Sequence, residues 1–416
     1  MKSESSRPWP VVFMLCATAT AGYICRVNVS TAAPMLMEEF GLSQVEMGRI
    51  FSAFLLGYAA FQIPSGALAD KFGARRILSS IVWLWVSITI LQTVVGWSIF
   101  RSTAVSAVLA FMAFRFFLGI AASPTYPGAA QGVSRWILPR FQARANGIVI
   151  ASIGLGSAIA PPLVSNVMVP LGWRSALIIS AIPALVIALI WLKIKEPVQL
   201  SSLKSVGSNA SYNSDSKKIG RVNSLSFYLL TLSYSLQGYV GYIFVSWFYL
   251  YLVQERNFGL LSGAWMSSMP WILSIISIPL GGFISDRLAS GRYGPVWGRR
   301  MVPLSGMALS GILISIGAHT GSPVMAAISL AFATALILCV EGPFWAMMMR
   351  IAGNKSGTAG GIMNMGSNIG GFISPALTPV IASWIGWENA LHVAAGLAVA
   401  GALLWLGIKP ENPQIH

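Results

Sequence analysis

The sequence has 416 residues, of which 55% are apolar and only 9% charged, with mean hydropathy +0.71 and formal net charge +15. A water-soluble chain of this length needs far more charge to cover its surface, so lipid must be the solvent for most of it. The basic residues fall in every second loop and form no single stripe, which excludes a nucleic-acid surface despite the positive balance.

Apolar runs of about the 20 residues needed to cross roughly 30 Å of hydrocarbon follow one another along the chain. They lie at roughly 10–33, 47–69, 76–98, 104–128, 143–168, 173–194, 225–253, 261–285, 301–320, 322–350, 358–383 and 387–408. Lipid offers no partner to a free backbone N–H or C=O, so each spanning run must be helical. Long runs with internal Gly and Pro exclude the alternating strands of a membrane barrel. The expected fold is therefore an all-α membrane protein with twelve transmembrane helices in two pseudo-symmetric six-helix bundles, 1–194 and 224–416. The polar stretch 195–223, rich in Ser, Lys and Asn, reads as a cytosolic linker between them.

Charge placement sets the orientation. Of 27 Lys and Arg, four (Arg49, Arg101, Arg174, Arg256) fall on one side, two (Arg26, Arg115) lie within spans, and the other 21 share the side of both termini and the linker. That bias places both termini in the cytosol of a multi-pass protein of the cell's inner membrane. No cleavable signal is read; Lys2 and Arg7 flank a first span that stays in place.

The halves repeat. Gly66-Ala67-Leu68-Ala69-Asp70-Lys71, closing with Gly73-Ala74-Arg75-Arg76, returns as Gly282-Phe283-Ile284-Ser285-Asp286-Arg287, closing with Gly298-Arg299-Arg300. Gly172-Trp173-Arg174-Ser175-Ala176-Leu177 returns as Gly386-Trp387-Glu388-Asn389-Ala390-Leu391, and Pro161-Pro162-Leu163 as Pro375-Ala376-Leu377. The offsets are 216, 214 and 214 residues, so one duplication accounts for all three. Duplicated bundles with a midplane site between them are the architecture of secondary transporters.

The Gly66–Arg76 segment, with its second copy, resembles the loop between the second and third helices of the major facilitator superfamily. That resemblance implies the major facilitator fold. It also implies a conformational latch at Gly66, Asp70, Arg75, Arg76, Gly282, Asp286 and Arg287, in which an acid pairs with a basic group at a cytosolic helix end. A second set is similar to the anion:cation symporter family of hexuronate, galactonate, glucarate and phthalate carriers and animal organic-anion and phosphate transporters. It comprises Arg115, Gly119, Pro124, Pro127, Trp136, Arg144, Gly154, Gly156, Pro162 and Gly172-Trp173-Arg174, with Arg26-Val27-Asn28-Val29-Ser30 and Ala33-Pro34 in the first helix. Phe51-Ser52-Ala53-Phe54 leading to Tyr58 and Gln62-Ile63-Pro64 agrees as well, as do Gly361, Asn364, Asn368 and Gly370-Gly371.

An intramembrane Arg costs roughly 3 kcal/mol or more unless it faces a cavity or a partner. Arg26 and Arg115 are two of them in one half, and guanidinium forks suit a carboxylate. The resemblance implies that Arg26 binds the substrate anion and that Arg115 couples or braces. Proton-coupled relatives carry an Asp where this chain has Cys25 and a Glu where it has Ala122, so coupling by the family's usual route is not expected here. Glu341, inside the tenth span beside an expected helix break, offers itself as counter-ion to the arginines or as an alternative proton carrier.

Further candidate substrate contacts are Tyr58 and Gln62, one turn apart on the second helix, and Asn364 and Asn368, one turn apart on the eleventh. Tyr239 and Tyr242 share a face of the seventh helix, although tyrosines also serve as interfacial anchors. Other signals carry nothing. Asn209-Ala210-Ser211 fits a glycosylation sequon but falls in the cytosolic linker. His319, His392 and His416 are too scattered in sequence for a metal site. No phosphate-binding loop implies ATP, no cofactor is called for, and no nucleophile–base–acid set implies an enzyme.

The sequence is thus read as a monomeric secondary transporter of a small organic anion, a sugar acid or other carboxylate, taken up by alternating access with H+ or Na+ as coupling ion. The rival readings are an exporter of a drug or metabolite, a facilitative anion uniporter, a transporter-derived sensor and a membrane enzyme.

Overall fold

The computed structural model describes residues 9–96, 104–137, 139–194, 225–353 and 356–409, so the expected linker 195–223 and the Asn209 sequon lie outside the described residues. Among the described residues there are thirteen α-helices and no strand. They are α1 (Trp9–Phe40), α2 (Gln44–Phe72), α3 (Ala74–Leu91), α4 (Ala104–Ala122), α5 (Thr125–Trp136), α6 (Pro139–Lys193), α7 (Leu225–Ser246), α8 (Phe248–Gln254), α9 (Leu260–Ser290), α10 (Gly294–His319), α11 (Pro323–Cys339), α12 (Glu341–Ala352) and α13 (Ser356–Leu404).

The Gly-Trp pairs of the repeat mark where two of these runs turn. Gly172 (φ 78°) inside α6 and Gly386 (φ 82°) inside α13 adopt a left-handed conformation that a side chain disfavours, and each divides its run into two passes. Three other passes are broken in mid-course: α4 to α5 at Pro124, α7 to α8 by 52° at Trp247, and α11 to α12 at Val340. Counted this way, the described residues make twelve helical passes, the number expected. The fourth does not end at 128 as expected. It continues as α5 to Trp136, because Gly128, Ala129, Gly132 and Val133 give α5 a small, buried face against the bundle. The first pass likewise extends beyond 33 to Phe40.

Large apolar side chains cover the outside. Phe13, Val105, Ile276 and Trp384 are among many that stand exposed, which suits hydrocarbon as solvent and not water. At the start of α2, Ser43 and Glu46 form a capping box: the Ser43 amide and then its hydroxyl donate to the Glu46 carboxylate (2.8 and 2.7 Å), holding that carboxyl below its usual range.

Two groups of helices pack chiefly among themselves, α1–α6 and α7–α13, and they meet where α6 lies on α9 and α2 on α13. One buried apolar cluster, including Leu15, Leu78, Trp85 and Trp191, belongs mainly to the first group. Another runs across both, joining Val29, Met47 and Ile50 to Val240, Trp247 and Phe344. The halves are therefore sealed together toward the Gln44 end. There Gln44 donates to Gln254 (3.0 Å) and accepts from the Trp387 indole (2.9 Å), while Phe51 and Trp247 meet edge to face at 5.2 Å. Among the described residues, the hydrogen bonds tying the halves on α2 run from Gln44 through Ser52–Phe372 to Gln62–Asn368.

Trp387→Phe removes the indole N–H that donates to Gln44 and, with it, the five-membered part of a ring packed near Trp247 and Tyr251. It is expected to weaken the seal by about 1 kcal/mol, roughly a fivefold rise in the population open at that end. Labelling of a cysteine placed at Ala382, buried in the same cluster as Trp387, measures this, and unchanged labelling contradicts it.

Distant residues also meet at this end. Trp173 and Arg174 both donate to Glu39 (2.6 and 2.7 Å), and His319 and His392, far apart in sequence, both approach Glu388 (2.8 and 3.8 Å). The second grouping was hidden by sequence separation, but among the described residues no set of three such side chains could hold a metal.

Candidate functional site

Arg26 sits in the middle of α1, 9% exposed, at the meeting of the two halves. Its Nη1 donates to the Tyr23 hydroxyl (3.1 Å) one turn earlier, and its Nη2 to the Tyr242 hydroxyl (2.9 Å) on α7 of the other half. The rings of Tyr23, Phe54, Tyr58 and Tyr242 surround the guanidinium, their centroids 5.1, 4.7, 5.9 and 5.3 Å from its carbon. Aromatic faces stabilise a cation but supply no negative charge to neutralise it.

Arg115, on α4, is 4% exposed. Its Nη2 donates to the Arg26 backbone carbonyl (3.0 Å), and its guanidinium lies 5.0 Å from the same Phe54 ring. Its Nε and Nη1 are buried with no hydrogen-bond partner. Both arginines line one small cavity of about 10 Å³, together with Ser30, Phe51, Phe54 and Tyr242. Such a volume holds about one water.

Two guanidinium groups thus share a site, and among the described residues neither makes an ion pair with an acid. Buried charges are ordinarily paired, and an orphaned N–H of a charged group is costly. The arrangement holds uncompensated positive charge at the junction of the halves, with free donors. Chemically, that fits a transient anion.

The helices holding these groups are brought close by glycine. An added Cβ at Gly57 would lie 2.1 Å from the Phe116 carbonyl oxygen, and at Gly119 it would lie 2.0 Å from that of Phe54. The backbones of α2 and α4 are therefore in direct contact, which places Phe54 beside Arg115. Small residues at such crossings are how membrane helices approach.

The other expected site residues are spread more widely. Tyr58 is buried, stacked on Phe54. Gln62 accepts from Asn368 Nδ2 (2.9 Å), bridging the halves; Asn364, one turn from Asn368, is half-buried. Tyr242 reaches Arg26, but Tyr239 turns inward and shares a hydrogen bond with Thr378 (3.0 Å). The structure therefore separates two residues that the sequence put on one face. Glu341 pairs with neither arginine: its Oε1 accepts from the Tyr234 hydroxyl and from the Trp345 indole (3.1 Å).

Of the expected latch, the side chains at 66 and 70 lie outside the described residues. Arg75 donates to the Leu192 carbonyl (3.3 Å) and Arg76 is exposed. Asp286 is exposed and pairs with Arg299 (3.4 Å), while Gly282 and Arg287 stand beside it on α9. That pair lies within one half and does not cross to the other.

Sequence reasoning missed Tyr23, Phe54, Tyr234 and Trp345. Tyr23 carried a usable signal, since a residue three before Arg26 on a helix lies on its face. Phe54 lies in the motif shared with the anion:cation symporters but was given no site role, and Tyr234 and Trp345 carried no signal that separates them from packing aromatics.

The family model described as Major Facilitator Superfamily matches residues 12–375. Among curated proteins, the chain is similar to the hexuronate transporter of Bacillus subtilis (strain 168), 28% identical over 97% of this chain and 98% of that one. It is similar to a probable sulfoacetate transporter of Cupriavidus necator, 28% identical over 99% and 96%. A probable galactarate/D-glucarate transporter of Bacillus subtilis (strain 168) is 28% identical over 96% and 91%. Among solved structures, the chain resembles the crystal structure of a bacterial homologue of the human lysosomal transporter Spinster in an inward-facing and occupied conformation. The TM-score is 0.78 at 19% identity, with 98% of this chain and 97% of that chain covered.

Proposed function

The chain belongs to the major facilitator superfamily of membrane transporters, and we propose that its cargo is a small organic anion, bound chiefly by Arg26 at the junction of the two halves. One observation carries this reading: two buried guanidinium groups line one cavity with no acid paired to either among the described residues, and Arg115 still has two unused donors. The relatives named above are called transporters of hexuronate, sulfoacetate and galactarate/glucarate, all small anions with hydrogen-bonding groups. The cargo is a sugar acid or another carboxylate, and a sulfonate presents the same charge to the same fork. Arg26 binds it directly, Arg115 adds positive charge behind it, and Gln62, Asn368, Tyr58 and Tyr242 offer hydroxyl and amide contacts.

Transport follows from where the site lies. Residues 1–194 and 224–416 form the two halves, which rock about the cargo and expose it to each side in turn. With both termini in the cytosol of the inner membrane, the sealed Gln44 end faces outward. The direction is uptake. A monomer suffices, because one chain supplies both halves of the site.

The test is exchange of labelled for unlabelled anion by the purified protein in liposomes, across glucuronate, galactonate, glucarate and sulfoacetate, with glucose and glucitol as uncharged controls. The reading expects at least one anion to exchange and neither control to do so. Exchange of the neutral sugars alone contradicts it.

Arg115→Met leaves no acid orphaned, because none pairs with Arg115 among the described residues. The variant is expected to fold normally while its affinity for the exchanged anion falls about tenfold, or roughly 1.4 kcal/mol. Equilibrium binding measures this, and wild-type affinity would assign Arg115 a bracing role alone.

A further inference from the structure

Resting on the carrier reading above, we infer that Glu341 is the proton-binding site that couples anion movement to proton movement, and that α7 connects it to Arg26. Glu341 opens α12 just after the break at Val340, half-buried within the tenth pass. Its Oε1 accepts from both Tyr234 and Trp345, and among the described residues no Lys, Arg or His pairs with it. A carboxylate inside a membrane without a counter-ion marks an ion or proton path by default. Two donors and the start of a helix favour the carboxylate, while desolvation favours the acid, so one proton can change the local arrangement.

The surroundings leave few competing groups. From α7, Tyr234 donates to the carboxyl, and Tyr242 lies about two turns further along the same helix; from the end of α11, Cys339 lies two residues away. On α9 and α10 the charged or titratable groups are Asp286 and Arg287, and Arg299, Arg300 and His319. Asp286 pairs with Arg299, and Arg300 donates to the Ile408 carbonyl. On α12 itself, Arg350 is exposed in the last turn. On α13 the charged residues, Glu388 and His392, are engaged with each other and with His319 at the sealed end.

The connection runs along one helix. Tyr234, which donates to Glu341, and Tyr242, which accepts from Arg26, are both on α7. An anion arriving at Arg26 competes with the Tyr242 hydroxyl. A proton arriving at Glu341 converts the carboxyl from acceptor to donor toward Tyr234. The chemistry balances simply: carboxylate plus H+ gives carboxylic acid on the open side, and the acid returns H+ on the other. Each event biases the position of α7, and linkage makes the effect mutual.

The experiment uses the full protein in liposomes with labelled glucuronate and sulfoacetate as probes. It reads exchange without a gradient and accumulation under an imposed pH gradient. For Glu341→Gln, exchange is expected within about threefold of wild type while pH-driven accumulation falls at least about tenfold, and exchange loses its pH dependence. Tyr234→Phe retains the carboxyl and is expected to shift the midpoint of the pH profile while leaving accumulation measurable. Wild-type accumulation by Glu341→Gln overturns the assignment, as does a wild-type chain that exchanges anion but gains nothing from the gradient. If Glu341→Gln does not fold, an unchanged pH midpoint in Tyr234→Phe overturns it instead. A wild-type chain that exchanges neither probe overturns the carrier reading itself, and this assignment with it.

Discussion

Arg26→Ala is expected to abolish anion uptake, a fall of at least about a hundredfold, in a protein that remains folded and monodisperse. The truncation removes the charge that meets the cargo and leaves two tyrosine hydroxyls, Tyr23 and Tyr242, without their donor. Truncating one partner of a buried, hydrogen-bonded charge pair costs roughly 2–5 kcal/mol, which brackets the expected loss. Folding should survive, because among the described residues no acid pairs with Arg26 and none is left bare. Arg26→Lys sharpens the point. A lysine keeps the charge but not the planar fork that now reaches both halves at once, so uptake should fall nearly as far. Labelled-anion uptake alongside thermal unfolding separates the two effects, and wild-type uptake in Arg26→Ala removes Arg26 from the site.

Gly119→Val tests the scaffold behind the arginines. A Cβ at this position would stand 2.0 Å from the Phe54 carbonyl oxygen and 2.8 Å from the Tyr58 amide nitrogen, both backbone atoms that cannot rotate aside. α2 and α4 must then separate, at a cost of about 3 kcal/mol by the measure of overpacked cores. The separation also moves Arg115, one turn away on α4, from Phe54 and from the Arg26 carbonyl that it caps. The unfolding temperature and anion binding should therefore fall together. Gly147→Ala is the control. Nothing lies within 4 Å of the position its Cβ would take, so stability should hold or rise slightly. Equal behaviour of the two variants would contradict the close-packed reading of α2 and α4.

Much of this architecture is legible in the chain because membranes restrict the options so strongly. Apolar length dictates helices, and the Gly-Trp repeats mark the turns at Gly172 and Gly386. Arg26 and Arg115 stand out because a charge in such a run is rare. What the sequence conceals is who meets whom across the halves. Tyr239 and Tyr242 are three residues apart, yet one turns to Thr378 and the other to Arg26, since α7 packs on both halves at once. Gln62 and Asn368 each invite assignment to a substrate hydroxyl but bond to each other. Glu341 suggests a counter-ion until Tyr234 is seen donating to it. Such pairings depend on tertiary placement, which helical periodicity does not encode.

The account turns on whether negative charge is what Arg26 and Arg115 recognise, and equilibrium binding of matched ligand pairs asks this directly. Glucuronate against glucuronamide, and glucarate against glucitol, differ chiefly in charge at similar size. The account predicts that the acid of at least one pair binds the wild-type protein at least about a hundredfold more tightly than its neutral counterpart. Equal affinity within each pair that binds would contradict it.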